Sequence, residues 1–309
     1  MMIPFVSITT NKTANADFIK WVDCNVSNQI LQKCYEYDVN SYHSLVHYNF
    51  TELLAYVTVK NGNKFKYKTD LNNLTKLIAR MYNGETIESI IGENKYYKYY
   101  LNAYDAIFAE FIGEYLDTTN NELKYGIKAY HPIARGYWYN GSDDFGNARS
   151  YGFKRKHLGH DIYGSVGAPI IAVEGGSITE LGWNRYGGWR IGIRSFDGKR
   201  YYYYAHLRKN KPYVATLKKG DKIEAGQVVG YLGVTGYSLK ENTNMDVKPH
   251  LHFGMQLIFD ESQLDGNGEI WIDVYAICKF LAKNRAQVLK NTTTNDYESI
   301  NLRKSILDS

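Results

Sequence analysis

The chain has 309 residues, which suggests two folded units, each large enough to bury its own core. Its two parts differ: residues 1–118 hold four of the 27 glycines and a net charge of −2, from 11 basic and 13 acidic residues, whereas the remainder carries +7. A basic second part suits an anionic polymer, but no basic run exceeds "KRK", so we expect no nucleic-acid partner. A solvated basic surface is the simpler alternative.

The sequence predicts neither a membrane segment nor a disulfide framework. The apolar start "MMIPFVSI" is too short for a signal peptide and lacks its basic flank, and no run of about 18 apolar residues follows. Cys24, Cys34 and Cys278 have neither CxxC spacing nor an even count. They are predicted to be small buried hydrophobic residues, with a bridge between Cys24 and Cys34 left open.

Apolar residues recur with helical period in four stretches of the first part. These are residues 27–37 behind a Ser27 cap, 44–60, 70–83 opening on Asp70, and 95–116. We therefore predict a helical domain of unknown role over residues 1–118. The polar, turn-rich residues 119–130 are predicted to be a linker.

Short β-branched and aromatic runs punctuated by glycine dominate from about residue 125. Examples are "APIIAVEGGSITELGW" and "WRIGIRSFDGKRYYYYAHL", the second with a hairpin signal at Asp197-Gly198. They predict an antiparallel all-β domain over residues 131–289 that closes with a helix within residues 269–289. Residues 290–309 show no core pattern and are predicted to be a tail, and the fold class is α+β.

The stretch "HLGHD" at residues 157–161 contains the first candidate site residues. In an extended strand, side chains two or four residues apart share a face, so His157 and Asp161 can converge. His160 is adjacent to Asp161 and should point away from it, as an outward or second-shell neighbour. Gly159 and the β-branched run that follows argue against a helix here.

The stretch "PHLHF" supplies a second same-face pair, His250 and His252. The two pairs give four candidates for a metal site, and a catalytic zinc takes three protein ligands and leaves one position open. One histidine is then spare, and His206 in "YYYYAHL" can join it as an acid or base. Each motif alone could be structural, but their joint occurrence favours a site.

His43 and His47 form a competing HxxxH pair on a predicted helix. An HExxH motif would need a glutamate directly after the first histidine, and Ser44 stands there. The pair is therefore interpreted as ordinary core or surface histidines.

Four separated motifs together resemble one family. "HLGHDIYGSVGAPIIAVEGGSI", "YYYYAHL", "KKGDKIEAGQVVGYLGVTG" and "PHLHFGMQL" occur in the order typical of the M23 zinc metallopeptidases, the lysostaphin- and LytM-like peptidoglycan endopeptidases. The resemblance covers roughly residues 130–282. It implies a duplicated hybrid motif, an antiparallel groove that hydrolyses peptide bonds in bacterial peptidoglycan by metal-activated water.

Carried over position by position, the resemblance implies one Zn²⁺ per chain. Its ligands would be His157, Asp161 and His252, with His250 and His206 as catalytic histidines. A tyrosine often assists in this family, and Tyr151 and Tyr163 are the candidates. His160 and Tyr163 depart from the residue types usual at these positions in the family, but neither position is that of a zinc ligand.

Two rival functions stay open, together with the role of the helical part. The rivals are a non-catalytic M23-like module that binds wall peptide or a partner protein, and an intracellular zinc hydrolase that acts on another peptide. The helical domain could mask the groove, bind glycan or dock a protein partner. Peptidoglycan as partner implies an extracellular or wall-associated protein, and the Asn-, Lys-, Ile- and Tyr-rich composition suggests a Gram-positive bacterium.

Overall fold

Helices occupy the first part of the described chain and β-strands most of the rest. The computed structural model describes residues 22, 24–150 and 154–305. The helices are α1 (Asn28–Ser41), α2 (Phe50–Asn61), α3 (Tyr67–Tyr82), α4 (Ile87–Ile91), α5 (Lys95–Phe108) and α6 (Tyr275–Leu281), with a short 3-10 helix at Glu261–Asp265. Among these residues no helix is long and apolar enough to cross a membrane.

The strands form one large sheet and several small ones. In chain order they are β1 (Ile112–Asp117), β2 (Glu122–Ile127), β3 (Tyr139–Asn140), β4 (Ala148–Arg149), β5 (Arg155–Lys156), β6 (His160–Gly164), β7 (Pro169–Ile171), β8 (Gly176–Asn184), β9 (Gly188–Ser195), β10 (Arg200–Ala205), β11 (Lys222–Ile223), β12 (Val228–Tyr231), β13 (His250–Leu257), β14 (Ile270–Ile272), β15 (Val288–Lys290), β16 (Tyr297–Ser299) and β17 (Arg303–Ser305). The large sheet has the order β11-β8-β9-β10-β13-β6-β3, with β14 also paired to β13.

The main sheet is antiparallel throughout its pairings, as the alternating sequence pattern predicts. The predicted hairpin is present, because Asp197 and Gly198 connect β9 to β10 and Gly198 has a φ of 71°. One face of an antiparallel sheet can remain open to solvent. The α+β class, with helices mostly in the first part and antiparallel sheets after them, is therefore confirmed.

The start of α2 differs from the prediction of a helix over residues 44–60. The Asn49 side chain accepts hydrogen bonds from the amides of Thr51 and Glu52, so the helix begins only at Phe50. Gly62 ends it in the left-handed conformation, with a φ of 60°. Side-chain capping decided this boundary, whereas apolar periodicity alone placed it six residues too early.

Other helix boundaries shift for related reasons. Ser27 stands at the N-cap of α1 but makes no side-chain capping hydrogen bond. The helix α3 begins three residues before Asp70, whose carboxylate accepts the Lys66 amide at 2.6 Å. His43 and His47 precede α2 and are exposed, so their predicted helical spacing is wrong.

The predicted helices over residues 95–116 and 269–289 are both shorter than expected. Helix α5 ends at Phe108, and the chain that follows becomes β1, which pairs with β2 and with β17. Near the other end, β14 pairs with β13 and only α6 is helical. In both places pairing with other strands overrides local helical period.

The predicted linker and tail contain regular structure. Strand β2 lies within residues 119–130, while β16 and β17 lie within residues 290–309, where no core pattern was seen. The division into domains stays a prediction. Cys24, Cys34 and Cys278 are buried thiols and not halves of a disulfide, as the spacing suggests.

A buried ion pair connects the helical part to the main sheet. Arg200 on β10 is fully buried, and its Nε and Nη2 donate to the two carboxylate oxygens of Glu174 at 2.8 and 2.9 Å. Its Nη1 donates to the Ala106 carbonyl of α5 at 2.8 Å. Because a bidentate pair with satisfied donors offsets much of the desolvation cost, this contact is stable only while all partners are present.

Replacing Arg200 should destabilise the fold. Arg200→Met leaves the Glu174 carboxylate buried without its partner, and we expect a loss of about 3–5 kcal/mol in the free energy of unfolding. Urea denaturation measures it. Arg80→Gln, which breaks the exposed pair with Glu85, is the control and should leave the midpoint unchanged. An Arg200→Met protein as stable as the parent would contradict a stabilising role of the contacts that Arg200 makes with Glu174 and Ala106.

Candidate active site

His157, Asp161 and His252 meet at the junction of β6 and β13. Asp161 lies directly opposite His252 in the register of these strands. His157 Nε2 is 3.0 Å from Asp161 Oδ1, and His252 Nδ1 is 3.1 Å from the same oxygen. The two histidine nitrogens are 2.8 Å apart. Among the described residues, this is the group of three His, Cys, Asp or Glu side chains that could hold a metal ion.

The backbone of the "HLGHD" stretch is not one continuous strand. Strand β6 begins at His160, and His157 lies in the connection from β5. The side chains of His157 and Asp161 nevertheless converge as expected. Gly159 permits the close approach of this connection to β13, because a Cβ there would lie 2.7 Å from the Phe253 carbonyl oxygen and 2.8 Å from the His252 ring.

The three converging donor atoms suit a small divalent cation. Tetrahedral zinc with ligand bonds of 2.0–2.1 Å places its ligand atoms roughly 3.3 Å apart, close to the separations of this trio. Burial disfavours charge on His157, but hydrogen bonds with Asp144 and Asp161 outweigh it and raise the His157 pKa to about 9. The protonated imidazole thus stands where a cation's charge would lie, and the donor set fits a metal.

The Asp161 carboxylate is strongly stabilised in its charged form. Burial by itself would raise its pKa, but hydrogen bonds with His157 and His252 and the nearby His250 hold the pKa well below the usual range of an aspartate. Arg149 Nη2 adds a contact of 3.1 Å to Asp161 Oδ2. The site therefore retains a negative ligand at neutral pH.

His206 and His250 lie beside the trio with fixed ring orientations. His206 Nδ1 is 2.8 Å from the Thr235 carbonyl oxygen, and His250 Nδ1 is 2.8 Å from the Lys248 carbonyl oxygen. Since a carbonyl can only accept, each Nδ1 carries a proton, and in the neutral form of either ring the lone pair is on Nε2. The two ring centroids are 4.8 Å apart, and His250 Nε2 is 4.0 Å from Asp161 Oδ1.

His206 occupies an unusual backbone conformation. Its φ is 61°, in the left-handed region that residues other than glycine rarely adopt, and its amide donates to the Gly187 carbonyl at 2.7 Å. Burial, together with His250 and His252, lowers the pKa of His206 to about 3. The imidazole is therefore neutral, and strain of this kind is found at functional sites.

Tyr237 is a site residue that the sequence reasoning missed. Its ring stacks on His206 with centroids 6.0 Å apart, and its φ of 46° is also left-handed. The Arg155 guanidinium also lies over this ring, with Cζ 5.3 Å from its centroid. The position of Tyr237 just after the glycine-rich "GVTG" stretch is a weak signal, because loop conformation decides where the ring points.

Of the two predicted tyrosines, the structure describes only Tyr163. Tyr163 lies opposite His250 in the β6–β13 register, with ring centroids 5.7 Å apart, and it is partly exposed. It is therefore near the predicted catalytic pair. Tyr151 lies outside the described residues.

Asp144 and His160 form a contact that the residue spacing did not predict. His160 faces away from the trio, as expected, but it is buried, and its Nδ1 is 3.1 Å from Asp144 Oδ1. Asp144 also contacts His157 Nδ1 at 3.1 Å. Nothing in "GSDDFGN" distinguishes Asp144 from Asp143, so only the folded chain identifies it.

A groove of about 1280 Å³ runs over the sheet from this site. Besides six of the predicted site residues, its lining includes aromatic and charged side chains, among them Tyr186, Tyr201, Tyr203, Trp271, Arg190 and Arg194. Gly192 lies under this surface, where a Cβ would be 2.3 Å from the Tyr201 hydroxyl. The histidines of the site therefore lie in one groove with these aromatic and basic side chains.

Comparison with known proteins identifies relatives of the second part of the chain. The model described as Peptidase family M23 matches residues 155–265. The L-Ala–D-Glu endopeptidase of Bacillus subtilis is 40% identical over 124 residues, 40% of this chain and 36% of that protein. Glycyl-glycine endopeptidase ALE-1 of Staphylococcus capitis is 41% identical over 98 residues, 31% of this chain and 24% of that protein. The chain thus spans about a third or less of the length of these relatives.

A solved structure resembles a larger part of the chain. It is described as a glycyl-glycine endopeptidase LytM from Ruminococcus gnavus, and the match covers 84% of this chain and 89% of that one. The TM-score is 0.56 at 22% sequence identity, so this likeness concerns the fold alone.

Substitution of Gly159 should disturb the site. A methyl group would press on the His252 ring and the Phe253 carbonyl, and we expect Gly159→Ala to cost about 1–3 kcal/mol of unfolding free energy. Thermal and urea unfolding measure the effect. Gly113→Ala is the matched control, because its nearest contact would be an ordinary 3.7 Å to the Lys128 side chain. Identical behaviour of the two variants would show that β6 and β13 can separate without penalty.

Proposed function

Because residues 155–265 form a peptidase family M23 domain, we propose that this protein is a zinc-dependent endopeptidase. Its substrates would be peptide bonds in bacterial peptidoglycan, in stem peptides or cross-bridges. The observation that carries the proposal is the convergence of His157, Asp161 and His252 beside the Nε2 edges of two further histidines. Relatives named as L-Ala–D-Glu and glycyl-glycine endopeptidases support it.

One Zn²⁺ per chain would be held by His157, Asp161 and His252, which provide two nitrogens and one oxygen. When bound, zinc supplies Lewis acidity that polarises a carbonyl and lowers the pKa of water toward about 7. The single carboxylate of Asp161 offsets part of the ion's charge. Three ligands from the chain leave a position open for substrate or solvent, as hydrolysis requires.

His250 and His206 would move the protons. In each, the Nδ1 proton is engaged by a carbonyl oxygen, so Nε2 can accept a proton from the attacking water. The same nitrogen can then donate that proton to the leaving amine. His206 is neutral at the outset, and Tyr237 and Tyr163 border the two rings and would contact the substrate near the scissile bond.

The groove would bind the extended peptide on either side of the site. Tyr201, Tyr203 and Trp271 offer flat apolar surface, and Arg190 and Arg194 offer hydrogen-bond donors. The predicted helical domain over residues 1–118 would serve as a separate recognition or masking unit. Such a substrate requires an extracellular or wall-associated location, and the composition favours a Gram-positive bacterium.

The alternative is a non-catalytic module that binds wall peptide or a partner protein in the same groove. The geometry of His206 and His250 argues against it, since a binding surface needs neither two imidazoles with Nδ1 fixed by carbonyl oxygens nor the strained backbone of His206. Turnover measurements separate the two functions.

Histidine variants should distinguish ligands from proton carriers. We expect the purified parent to bind about one zinc per chain. His252→Ala should lose the metal, whereas His250→Ala should keep it and lose at least ~100-fold in turnover, because a proton carrier rather than a ligand is removed. Metal analysis after dialysis and a muropeptide cleavage assay measure both quantities.

His43→Ala serves as the control for these variants, since His43 is exposed and remote from the groove. It should match the parent in both assays. Undiminished cleavage by the His250→Ala protein would refute its catalytic assignment. A parent that binds zinc but cleaves no muropeptide would favour the binding module.

The scissile bond can be identified directly. Incubation with a panel of defined cross-linked muropeptides should yield products whose masses correspond to cleavage of one type of peptide bond. Mass spectrometry of the products measures this, with the His250→Ala protein as the blank. Release of sugars without peptide cleavage would be incompatible with the proposed reaction.

A further inference from the structure

Asp144 contacts the "HLGHD" segment at three points. Its Oδ2 is 3.1 Å from His157 Nδ1, its Oδ1 is 3.1 Å from His160 Nδ1, and Oδ1 also accepts the Asp161 amide at 3.3 Å. The Asp144 side chain is only 14% exposed. One carboxylate thus holds two imidazole rings and the backbone of the segment that contains two of the proposed ligands.

The tautomer of His157 depends on this carboxylate. A ring nitrogen can bind a metal only through its lone pair, so Nε2 of His157 must carry no proton when Nε2 faces the ion. Asp144 accepts the proton of Nδ1, both through Oδ2 and through its backbone carbonyl oxygen at 3.1 Å, so in the neutral ring that binds a metal the lone pair is on Nε2. This is the arrangement by which a carboxylate orients a metal-binding histidine.

Arg149 is the competing neighbour. Its Nη2 lies 3.0 Å from His157 Nδ1 and can only donate, which would favour a proton on Nε2 instead. The same nitrogen also contacts Asp144 Oδ2 at 2.9 Å and Asp161 Oδ2 at 3.1 Å. Arg149 Nη2 thus has two carboxylates to bind, and Asp144 provides the acceptor for the Nδ1 proton of His157.

We propose that Asp144 is a positioning residue of the metal site, which orients His157 and selects the tautomer that leaves Nε2 unprotonated. His160 is the second anchor of that carboxylate, which gives a role to the histidine of "HLGHD" that binds no metal in the proposed function. This inference rests on the proposed function, because Asp144 can position a metal ligand only if His157 binds zinc. Asp144 itself would contact neither the ion nor the substrate.

The decisive variant is Asp144→Asn. An asparagine has one acceptor oxygen, so it can serve only one of the two Nδ1 protons that the aspartate serves together. We expect the affinity for zinc to fall by about 10–100-fold, as for other residues that orient metal-bound histidines. Competition with a chromogenic chelator measures zinc affinity without any reference to turnover, and the visible spectrum of the cobalt-loaded protein should shift.

Asp143→Asn is the matched control, because Asp143 is the adjacent and exposed aspartate. It should leave zinc affinity and the cobalt spectrum unchanged. Unfolding of the metal-free proteins in a chelator separates positioning from folding: Asp144→Asn should still unfold in one cooperative urea transition, so that weaker zinc binding is measured on folded protein. Should Asp144→Asn fail to fold, His160→Gln, which removes the second anchor, should lower zinc affinity by a smaller factor of a few-fold.

The inference would be overturned if Asp144→Asn bound zinc within about twofold of the parent and gave an unchanged cobalt spectrum. If His160→Gln is tested instead, an unchanged zinc affinity would overturn it. Failure of the proposed function looks different, because the parent itself would then bind no zinc or cleave no muropeptide. Weak zinc binding by Asp144→Asn beside tight binding by Asp143→Asn would support the positioning role.

Discussion

The antiparallel register between β6 and β13 is the constraint on which the site depends. It places Asp161 opposite His252 and Tyr163 opposite His250, so that one strand pair brings together two proposed ligands and one proposed proton carrier. Side chains alternate between faces of a strand, so a slip of one residue would turn one partner away from the other. The small residue Gly159 lets the preceding connection approach β13 closely enough for His157 to complete the trio.

The surrounding sheet keeps this register rigid. Strand β13 is paired on one side with β10 and on the other with β6, and β14 adds a further pairing to it. The neighbour β10 carries Arg200, whose buried contacts extend to Glu174 and to the last turn of α5. The helical part is therefore not merely attached to the β part, because it supplies a carbonyl oxygen to a guanidinium that has no access to water.

The electrostatics of the site are set by carboxylates and cationic side chains that are buried next to one another. The Asp144 and Asp161 carboxylates face Arg149 and His157 within hydrogen-bond distance. A buried set of this kind is stable only when each charge has partners, so a divalent cation would replace the proton that His157 carries without it. Beside this set, the rings of His206 and His250 are oriented by carbonyl oxygens of Thr235 and Lys248.

Sequence alone was sufficient for much of this picture. Glycine distribution and alternation indicated the α+β order, and the HxxxD and HxH spacings selected residues that the structure brings together. For His250 and His252 on β13 the reason is strand periodicity, which is a local property, whereas His157 lies in the connection before β6. Boundaries were less accessible: residues 112–117 have helical period yet pair with β2 and β17, and Asn49 starts α2 later than the apolar pattern suggested.

Only the tertiary structure could identify Asp144, Arg149 and Tyr237 as neighbours of the site. They come from loops and a short hairpin whose side-chain directions have no sequence period, and Tyr237 in particular depends on a left-handed backbone. The sequence by itself determined which residue types could perform the chemistry. Their distances, tautomers and charges were decided by strand register and burial, which arise from contacts between residues far apart in the chain.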